Sequence, residues 1–381
     1  MKIDTTCVQG AKDKNNTTGS IAVPIYQSAT FHHLGVNKST GYDYSRTQNP
    51  TREALENLVA KLENADCALA FSTGMSALST LMELFKPGDH IIATDDLYGG
   101  SIRFFEHISK KNGLKFDCIN TSDLQSLKSK INKDTKAVFI ETPTNPMMRV
   151  TDIKAVKEIV KEKDILLIVD NTFLTPYFQQ AVTLGADIVI HSGTKYLGGH
   201  NDTLAGFLVS SNKAVIETLK FLHNSIGACL SPFDSFLIIR GIKTLALRME
   251  KSQTNAIFIA NWLSKQDRVK TVYYAGLESH PDYEISKKQA SGFGAMISFE
   301  LDSKETVYRI LENLKLIMFA ESLGGAETLI TYPMLQTHAA VPQEEREARG
   351  INERLLRISV GIENIDDLTE DLNQAINFRN T

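Results

Sequence analysis

A single lysine stands between hydroxyl-bearing residues and a glycine pair, directly after an apolar run. The stretch that contains it, residues 165–201, reads ILLIVDNTFLTPYFQQAVTLGADIVIHSGTKYLGGHN, with Lys195 in SGTKYLGG and Asp170 at the end of LLIVD. A lysine amine forms a Schiff base with a carbonyl cofactor, and a buried carboxylate keeps a pyridine nitrogen protonated. Together the two residues suggest a pyridoxal phosphate site.

Asp170 and Lys195 each have a simpler interpretation. An aspartate at the end of an apolar strand can cap the following turn, although burial without a cation would be costly. Lys195 can be a surface lysine, although the small residues around it fit that interpretation poorly. The close spacing of hydroxyls, amine and glycines favours the cofactor interpretation.

Two segments carry groups that bind phosphate. Residues 72–77, STGMSA, follow an apolar run and open a helix-like pattern, so backbone N–H groups can approach an anion at the positive helix end. Ser192 and Thr194 flank the lysine loop and add two hydroxyls near the same small cofactor. An ordinary strand-to-helix turn is the alternative for the first segment.

Aromatic and cationic residues elsewhere suit the same ligand. Tyr98 in DDLYGG can stack on a cofactor ring, or it can be a core tyrosine before a glycine turn. Tyr44 and Arg46 in GYDYSR are natural phosphate ligands, or they belong to a solvated turn. Arg357, charged among apolar neighbours in LLRISVG, favours a substrate carboxylate, with a structural salt bridge as the alternative.

The composition limits the class of protein. The chain has 381 residues, of which 42% are hydrophobic and 23% charged, as is typical of globular proteins with more than one core. A formal charge of −4 and the lack of a basic aromatic run argue against nucleic acid as a partner. Four scattered cysteines without CxxC spacing indicate reduced thiols and no metal site. The sequence has no secretory core and no membrane-spanning run, so we expect a cytoplasmic protein without membrane partners.

Short apolar runs alternate with helix-like segments between residues 68 and 211. The runs lie at 68–71, 90–94, 116–119, 137–142, 166–172, 187–192 and 206–211. Such alternation predicts an α/β fold with a mainly parallel seven-stranded sheet that is covered on both faces. Ligands then bind beyond the carboxyl ends of the strands, where Thr142, Asp170 and Ser192 all fall.

We expect three parts in the chain. Residues 1–50 are rich in turn residues and predict an extended N-terminal arm, and residues 51–248 form the large cofactor-binding domain. A long apolar helical stretch from about Phe233 to Trp262 leads away from the sheet. Strand-like and helix-like segments then alternate, which predicts a smaller α+β C-terminal domain over residues 249–381.

Nine segments together resemble the pyridoxal-phosphate enzymes of cysteine and methionine metabolism. This transsulfuration family holds the cystathionine γ-synthases, the cystathionine lyases, the methionine γ-lyases and the homoserine-ester sulfhydrylases. The segments, in the order and spacing of the family, are YSRTQNPTR, STGMSA, DDLYGG, ETPTNP, VDNTF, HSGTKYLGGH, RGIKTLALRME, AESLGG and LLRISVGIE. Nearly the whole chain is covered, so the match is far more specific than any one motif.

The resemblance implies an aspartate-aminotransferase-like fold and a homotetramer built from two dimers, with active sites shared between subunits. The arm then carries Tyr44 and Arg46 to the phosphate of a neighbouring subunit's cofactor. The roles that it implies within one subunit fall into three groups: the phosphate is bound by Gly74, Met75, Ser192 and Thr194, the ring by Tyr98, Asp170 and Lys195, and the substrate by Arg103, Asn145, Glu321, Ser322 and Arg357. Lys195 and Tyr98 are the residues expected to move protons.

The choice of reaction within the family depends on smaller differences. Methionine γ-lyases place a cysteine where this chain has Gly100, and they lack the glutamate of AESLGG, so Glu321 argues against methionine as substrate. The carboxylate of Glu321 suits the distal amino group of cysteine or cystathionine. Segments 200–206, 231–249 and 292–301 resemble the γ-synthases more than the γ-lyases, and ITYPMLQTHAA resembles bacterial γ-synthases that use sulfide.

We therefore expect γ-replacement on an O-acetyl- or O-succinylhomoserine with cysteine, giving cystathionine, with homocysteine as a further product where sulfide is the acceptor. The alternative is γ-elimination of cystathionine to cysteine, 2-oxobutyrate and ammonia. Cystathionine β-lyase and methionine γ-lyase activities are weaker alternatives. A cofactor-binding protein without turnover is disfavoured by the intact set of Lys195, Asp170 and Arg357.

Overall fold

Two β-sheets organise the chain. The computed structural model describes residues 1–13, 16–337 and 343–378, and it has a seven-stranded sheet and a five-stranded sheet. The larger sheet consists of β1 (Cys67–Phe71), β2 (His90–Thr94), β3 (Lys115–Ile119), β4 (Thr135–Glu141), β5 (Leu166–Asp170), β6 (Ile188–Ser192) and β7 (Gly206–Ser210). Each of these strands lies at one of the seven apolar runs, so the predicted strands are confirmed.

The larger sheet is parallel apart from one strand. Its order is β1-β7-β6-β5-β4-β2-β3, and only β7 runs antiparallel to its neighbours, β1 and β6. Buried side chains point from both faces of the central strands, because helices cover both. The predicted mainly parallel seven-stranded sheet is confirmed.

Helices of the first part of the chain connect and cover these strands. They are α1 (Ile3–Gln9), α2 (Pro50–Leu62), α3 (Gly74–Met82), α4 (Gly99–Phe104) with a π-helical turn at Phe105–Ser109, α5 (Leu124–Lys130), α6 (Ile153–Val160), α7 (Thr175–Phe178) and α8 (Lys213–Ile226). The side chain of Asn49 caps α2 by accepting from the amides of Thr51 and Arg52. The same Asn49 donates to the Tyr26 carbonyl oxygen, so one residue ties the N-terminal segment to the helix start.

The N-terminal segment is less uniform than the sequence predicts. Residues 3–9 form the short helix α1, where the sequence predicted an extended arm. For these seven residues that prediction is wrong. The helix is held because Cys7 is buried in the core and the Lys61 amine donates to the Gly10 carbonyl oxygen. Residues 16–49 contain no helix or strand, and an isolated bridge joins Thr30 and Tyr44.

The smaller sheet lies in the C-terminal part of the chain. Its strands are β8 (Val269–Tyr273), β9 (Met296–Leu301), β10 (Met318–Phe319), β11 (Leu329–Thr331) and β12 (Leu355–Ser359), in the order β10-β11-β12-β9-β8. Helices α11 (Tyr283–Gln289), α12 (Lys304–Asn313), α13 (Gln343–Ala348) and α14 (Ile365–Ile376) accompany it. Within the described ranges, no helix is long and apolar enough to cross a membrane.

Two helices occupy the apolar stretch between the sheets. The predicted stretch from Phe233 to Trp262 is divided into α9 (Pro232–Ile242) and α10 (Leu245–Leu263). The first helix ends because both the amide and the hydroxyl of Thr244 donate to the Gly241 carbonyl oxygen, at 3.1 Å each, and the turn tightens. The domain boundary after residue 248 stays a prediction.

Replacing Gly241 by Ala should destabilise the protein even though alanine is the better helix former. A Cβ at this position would lie 2.1 Å from the Gly198 carbonyl oxygen, three residues after Lys195. The backbone contact leaves no room for a methyl group, and this outweighs the gain of about 1 kcal/mol in helix propensity. We expect the free energy of unfolding to fall by about 1–3 kcal/mol in thermal or urea denaturation.

The neighbouring exposed residue provides the control. Arg240→Ala on the same helix should change the free energy of unfolding by no more than about 0.5 kcal/mol. A Gly241→Ala protein as stable as the wild type would contradict the close packing of α9 against the lysine loop.

Candidate active site

A cavity opens at the carboxyl ends of the central strands, between the two sheets. Asp170 ends β5 and Ser192 ends β6, and both line the cavity, whereas Thr142 is buried beside it. The remaining lining comes from the start of α3, the region around the start of α4, β4 and the segment after it, the segment after β5, β6 with the lysine loop, and Leu204 and Leu323. Its residues are Thr73, Gly74, Met75, Leu78, Tyr98, Ser101, Glu141, Asn145, Thr172, Phe173, Ile190, Thr194, Lys195, Leu204 and Leu323.

The Lys195 amine points into this cavity from the loop after β6. Its Nζ donates to the Ser322 hydroxyl at 2.8 Å. Burial, and next the positive charge of Arg357, lower the pKa of Lys195 to about 8, while the Glu321 carboxylate opposes both effects. The neutral amine is therefore more populated near pH 7 than that of an exposed lysine.

The first turn of α3 and the lysine loop face each other across one end of the cavity. Thr73 caps α3 by accepting from the Ser76 amide, so the amides of Gly74 and Met75 lie at the open helix end. A Cβ on Gly74 would lie 3.2 Å from the Ser192 side chain, which shows how closely the two walls approach. The Thr194 hydroxyl donates to the Ala205 carbonyl oxygen and accepts from the Ala205 amide, which fixes the loop.

Asp170 presents a carboxylate to the cavity. One of its oxygens accepts from the Thr172 amide at 3.0 Å. Burial raises the pKa of Asp170, while the hydrogen bonds from Thr172 and the charge of His191 lower it. Within the described residues no lysine, arginine or histidine forms an ion pair with it, so a cation from a ligand would complete its surroundings.

Tyr98 lies at the mouth of the cavity, immediately before α4. Its side chain is 43% exposed, and its backbone amide donates to Glu141 Oε2 at 2.9 Å. The phenol ring fills the space that a side chain at position 100 would need, because a Cβ on Gly100 would lie 2.3 Å from the ring. A larger residue at position 100 would displace the ring of Tyr98.

Arg357 approaches from the smaller sheet, where it lies in the middle of β12. The side chain is 1% exposed, and burial lowers its pKa to about 10. Its guanidinium donates to Asn145 Oδ1 at 2.8 Å and to the Ser322 carbonyl and Thr331 hydroxyl oxygens at 3.1 Å each. All three acceptors are neutral, and Nε has no partner in the described part of the chain. The buried positive charge is thus left for an anionic ligand.

Ser322 joins the two halves of the site. Its hydroxyl accepts from Lys195 and its carbonyl accepts from Arg357. The residue adopts a φ of 93°, which is strained for any residue but glycine and places both groups toward the site. Glu321 beside it is exposed and is absent from the cavity lining, although its charge acts on both Lys195 and Arg357.

Three of the residues expected at the site lie elsewhere in the single chain. Tyr44 is 48% exposed, and the Arg46 guanidinium lies 5.6 Å from its ring and donates to the Asn224 carbonyl oxygen near the end of α8. Arg103 is exposed on α4. None of the three lines the cavity of its own chain.

Glu141 is the ionisable lining residue that sequence reasoning missed. It ends β4 in the run AVFIE just as Asp170 ends β5 in LLIVD, and the two are paired in register on neighbouring parallel strands. An acidic residue at the end of a second apolar run was the signal that could have found it.

The chain is similar to known proteins over its full length. The sequence model of a family described as Cys/Met metabolism PLP-dependent enzyme matches residues 4–377. A cystathionine γ-lyase of Bacillus subtilis is 49% identical, covering 99% of both chains, and a cystathionine β-lyase of Lactococcus lactis is 49% identical, covering 98% of both. A cystathionine γ-synthase/O-acetylhomoserine (thiol)-lyase of Bacillus subtilis is 50% identical over 98% of this chain and 96% of its own.

A solved structure is also similar to this chain in three dimensions, over nearly its full length. The cystathionine γ-lyase from Lactobacillus plantarum, complexed with L-serine, superposes with a TM-score of 0.95 at 43% identity, covering 98% of each chain. Relatives with three different reaction names therefore stand at similar distances from this chain.

The pKa of Lys195 should respond to its two charged neighbours in opposite directions. Removing the negative charge in Glu321→Gln should lower the pKa, and removing the positive charge in Arg357→Gln should raise it. The shifts can be read from pH titrations of reductively ¹³C-methylated lysines by NMR, in the full-length chain without cofactor.

Glu327→Gln is the matched control for that titration. Glu327 is an exposed carboxylate in the same segment that bonds to Asn201, so its loss should leave the pKa of Lys195 in place. A higher pKa for Lys195 in Glu321→Gln would contradict the electrostatic arrangement.

Proposed function

Because the chain belongs to the Cys/Met metabolism PLP-dependent enzyme family, we propose that it catalyses γ-replacement on an O-acylhomoserine with cysteine, giving cystathionine. The fold is the one of PLP enzymes of fold type I, and the cofactor of the family is pyridoxal phosphate. The proposal concerns the reaction and the residues that perform it.

The residues of the cavity fit this cofactor. The open end of α3 and the Ser192 hydroxyl offer donors for its phosphate, and Asp170, which lacks a cationic partner among the described residues, suits a protonated pyridine nitrogen. Lys195 lies where its amine can bind the aldehyde carbon, and Tyr98 can cover the ring. When bound, pyridoxal phosphate would supply an aldehyde that is reactive toward amines and a ring that can take up the electrons of the bond that breaks.

Arg357 is the proposed site for the substrate α-carboxylate. A buried guanidinium whose bonded acceptors are all neutral gains a charge-assisted bidentate contact when a carboxylate arrives. Asn145 holds the guanidinium plane, so the substrate is oriented with its reacting carbon toward Lys195.

Lys195 is the proposed proton carrier. Its amine, with a pKa near 8, can accept a proton from the substrate α-carbon and return one later in the reaction. The Ser322 hydroxyl holds the nitrogen in place. The acyl group then leaves from the γ-carbon as a carboxylate, and the cysteine sulfur bonds to that carbon.

The observation that carries the choice of substrate is the position of Glu321. Its carboxylate lies at the rim, near enough to influence both Lys195 and Arg357, and faces solvent without lining the inner cavity. An anion at the rim suits the ammonium group of an incoming cysteine, which is distal to the carbon that reacts. Gly100 adds support against methionine as substrate, since a cysteine side chain there would displace the Tyr98 ring.

Elimination from cystathionine is the second candidate. The γ-lyase of Bacillus subtilis, at 49% identity over nearly the whole chain, favours it. Glu321 would then bind the distal amino group of cystathionine, so the same site serves both reactions. Part of the segment that favours sulfide use, ITYPMLQTHAA, lies outside the described residues, which end at 337 and resume at 343.

We extend the proposal to the assembly. Tyr44 and Arg46 bind no group at the cavity of their own chain, and their segment is exposed. A homotetramer of two dimers, in which each arm supplies these residues to a neighbour's phosphate, gives them a role. Arg103 is proposed as a further substrate-binding residue at the outer edge of the site.

Lys195→Ala should remove both colour and turnover. The amine at this position is the only group proposed to bind the cofactor covalently, so the imine absorbance of the purified protein should disappear. Absorption spectra and an assay of thiol consumption with O-acylhomoserine and cysteine check this, with Lys251→Ala, an exposed lysine on α10, as the control. A yellow and active Lys195→Ala protein would overturn the assignment.

A substrate panel should separate the candidate reactions. We expect cystathionine from O-acetyl- or O-succinylhomoserine with cysteine, at a rate at least tenfold above the release of 2-oxobutyrate from cystathionine. Glu321→Ala should raise the KM for cysteine about tenfold or more, which corresponds to one lost charge-assisted contact, with a smaller effect on the acylhomoserine. Product from cystathionine only would replace the proposal by γ-elimination.

A further inference from the structure

Two carboxylates end neighbouring strands at the floor of the site. Glu141 closes β4 and Asp170 closes β5, in register with each other, and both line the cavity. Glu141 is 5% exposed, and no lysine, arginine or histidine forms an ion pair with it among the described residues. Two negative charges this close in a poorly solvated cavity repel each other strongly, so one of the pair holds a proton.

The groups around Glu141 show which carboxyl holds the proton. Asp170 on β5 and Asp96 on the loop after β2 both face it with negative charge, while Arg357 on β12 supplies positive charge from the smaller sheet. Its Oε2 accepts from the Tyr98 amide, the one hydrogen bond that its carboxyl group makes in the described structure. Asp170 differs, because Thr172 donates to it and the charge of His191 favours its ionised form.

We propose that Glu141 is a neutral carboxylic acid in the folded enzyme and acts as a positioning residue. Its Oε2 anchors the backbone of Tyr98. Because Glu141 holds a proton, Asp170 is the single anion available to the cofactor ring. A second anion here would compete with Asp170 for the pyridine nitrogen and would repel the first. This role rests on the proposed position of that nitrogen at Asp170, and it is independent of which sulfur compound reacts.

The protonation of Glu141 has a consequence for stability that needs no cofactor. Burial and the charge of Asp170 raise the pKa of Glu141 well above its ordinary value of 4.5. A carboxyl with a raised pKa in the folded state is destabilising once the pH exceeds its unfolded value, because the unfolded chain releases the proton and the folded chain keeps it. The loss grows until the pH reaches the folded pKa.

Glu141→Gln tests the proposal, because glutamine copies the shape and the hydrogen bonds of a protonated glutamate. We expect the Tm of the wild type to fall relative to that of Glu141→Gln as the pH rises from about 5 to about 8. The ratio of their unfolding constants should change by up to about tenfold per pH unit. Both proteins are used as full-length chains, with and without pyridoxal phosphate.

Glu63→Gln is the matched control for that pH profile. Glu63 is also fully buried, but its carboxylate accepts from His191 and Asn171 at 2.8 Å each. Neutralising it should lower the Tm near neutral pH, because a buried histidine loses its anionic partner. Loss of a buried carboxylate is therefore not expected by itself to produce the effect predicted for Glu141.

Cofactor affinity tests the positioning role separately. Glu141→Leu removes the acceptor for the Tyr98 amide and should weaken pyridoxal phosphate binding at least tenfold, measured by absorbance titration. Glu141→Gln keeps the acceptor and should stay within about threefold of the wild type.

A Glu141→Gln protein whose Tm follows the wild type in parallel across the pH range, or which binds the cofactor as weakly as Glu141→Leu, would overturn the proposal. Loss of turnover on every substrate with these profiles intact would instead count against the proposed reaction.

Discussion

Charge held out of water is the constraint on which this site depends. Lys195 and Asp170 line one cavity, Arg357 lies behind its lining residue Asn145, and each of the three is bonded mainly to neutral groups of the protein. A buried charge without a counter-charge weakens the folded state by itself. In the proposed function, Arg357 meets a substrate carboxylate and Asp170 meets a protonated ring nitrogen, so binding of these ligands would supply the counter-charges that folding leaves out.

The fold brings these charges together through strand ends and close backbone contacts. Parallel strands place Glu141, Asp170 and Ser192 along one edge, and the smaller sheet supplies Arg357 from the opposite side. The lysine loop is held between them because α9 packs directly on its glycine pair at Gly198. The site is therefore rigid on its inner side and open at the rim, where Tyr98 and Glu321 are exposed.

Sequence reasoning reached the sheet and the inner cavity because their signals are local. Apolar runs mark buried strands, and the residue that ends a run lies at the ligand edge, which located Asp170 and Ser192. Sequence reasoning missed α1, whose seven residues are too few to show a helical period. It also missed the break between α9 and α10 at Thr244, which depends on one turn. Glu141 carried the same signal as Asp170, yet its register partner is visible only in the assembled sheet. The proposed roles of Tyr44 and Arg46 at a neighbouring subunit's phosphate depend on contacts that one chain does not contain.

Ser322 connects the two halves of the site through hydrogen bonds. Its hydroxyl accepts from the amine of Lys195, on the loop after β6 of the larger sheet, and its carbonyl accepts from the guanidinium of Arg357 in the smaller sheet. Because Ser322 lies between β10 and β11 of the smaller sheet, a relative shift of the sheets by about an ångström would break its bond to Lys195 and leave its bond to Arg357, since hydrogen bonds weaken steeply beyond their usual length. The Lys195 amine and the Arg357 guanidinium are thus aligned only when the two sheets keep their relative position, and the geometry of the site directly reports how well the two halves of the molecule fit together.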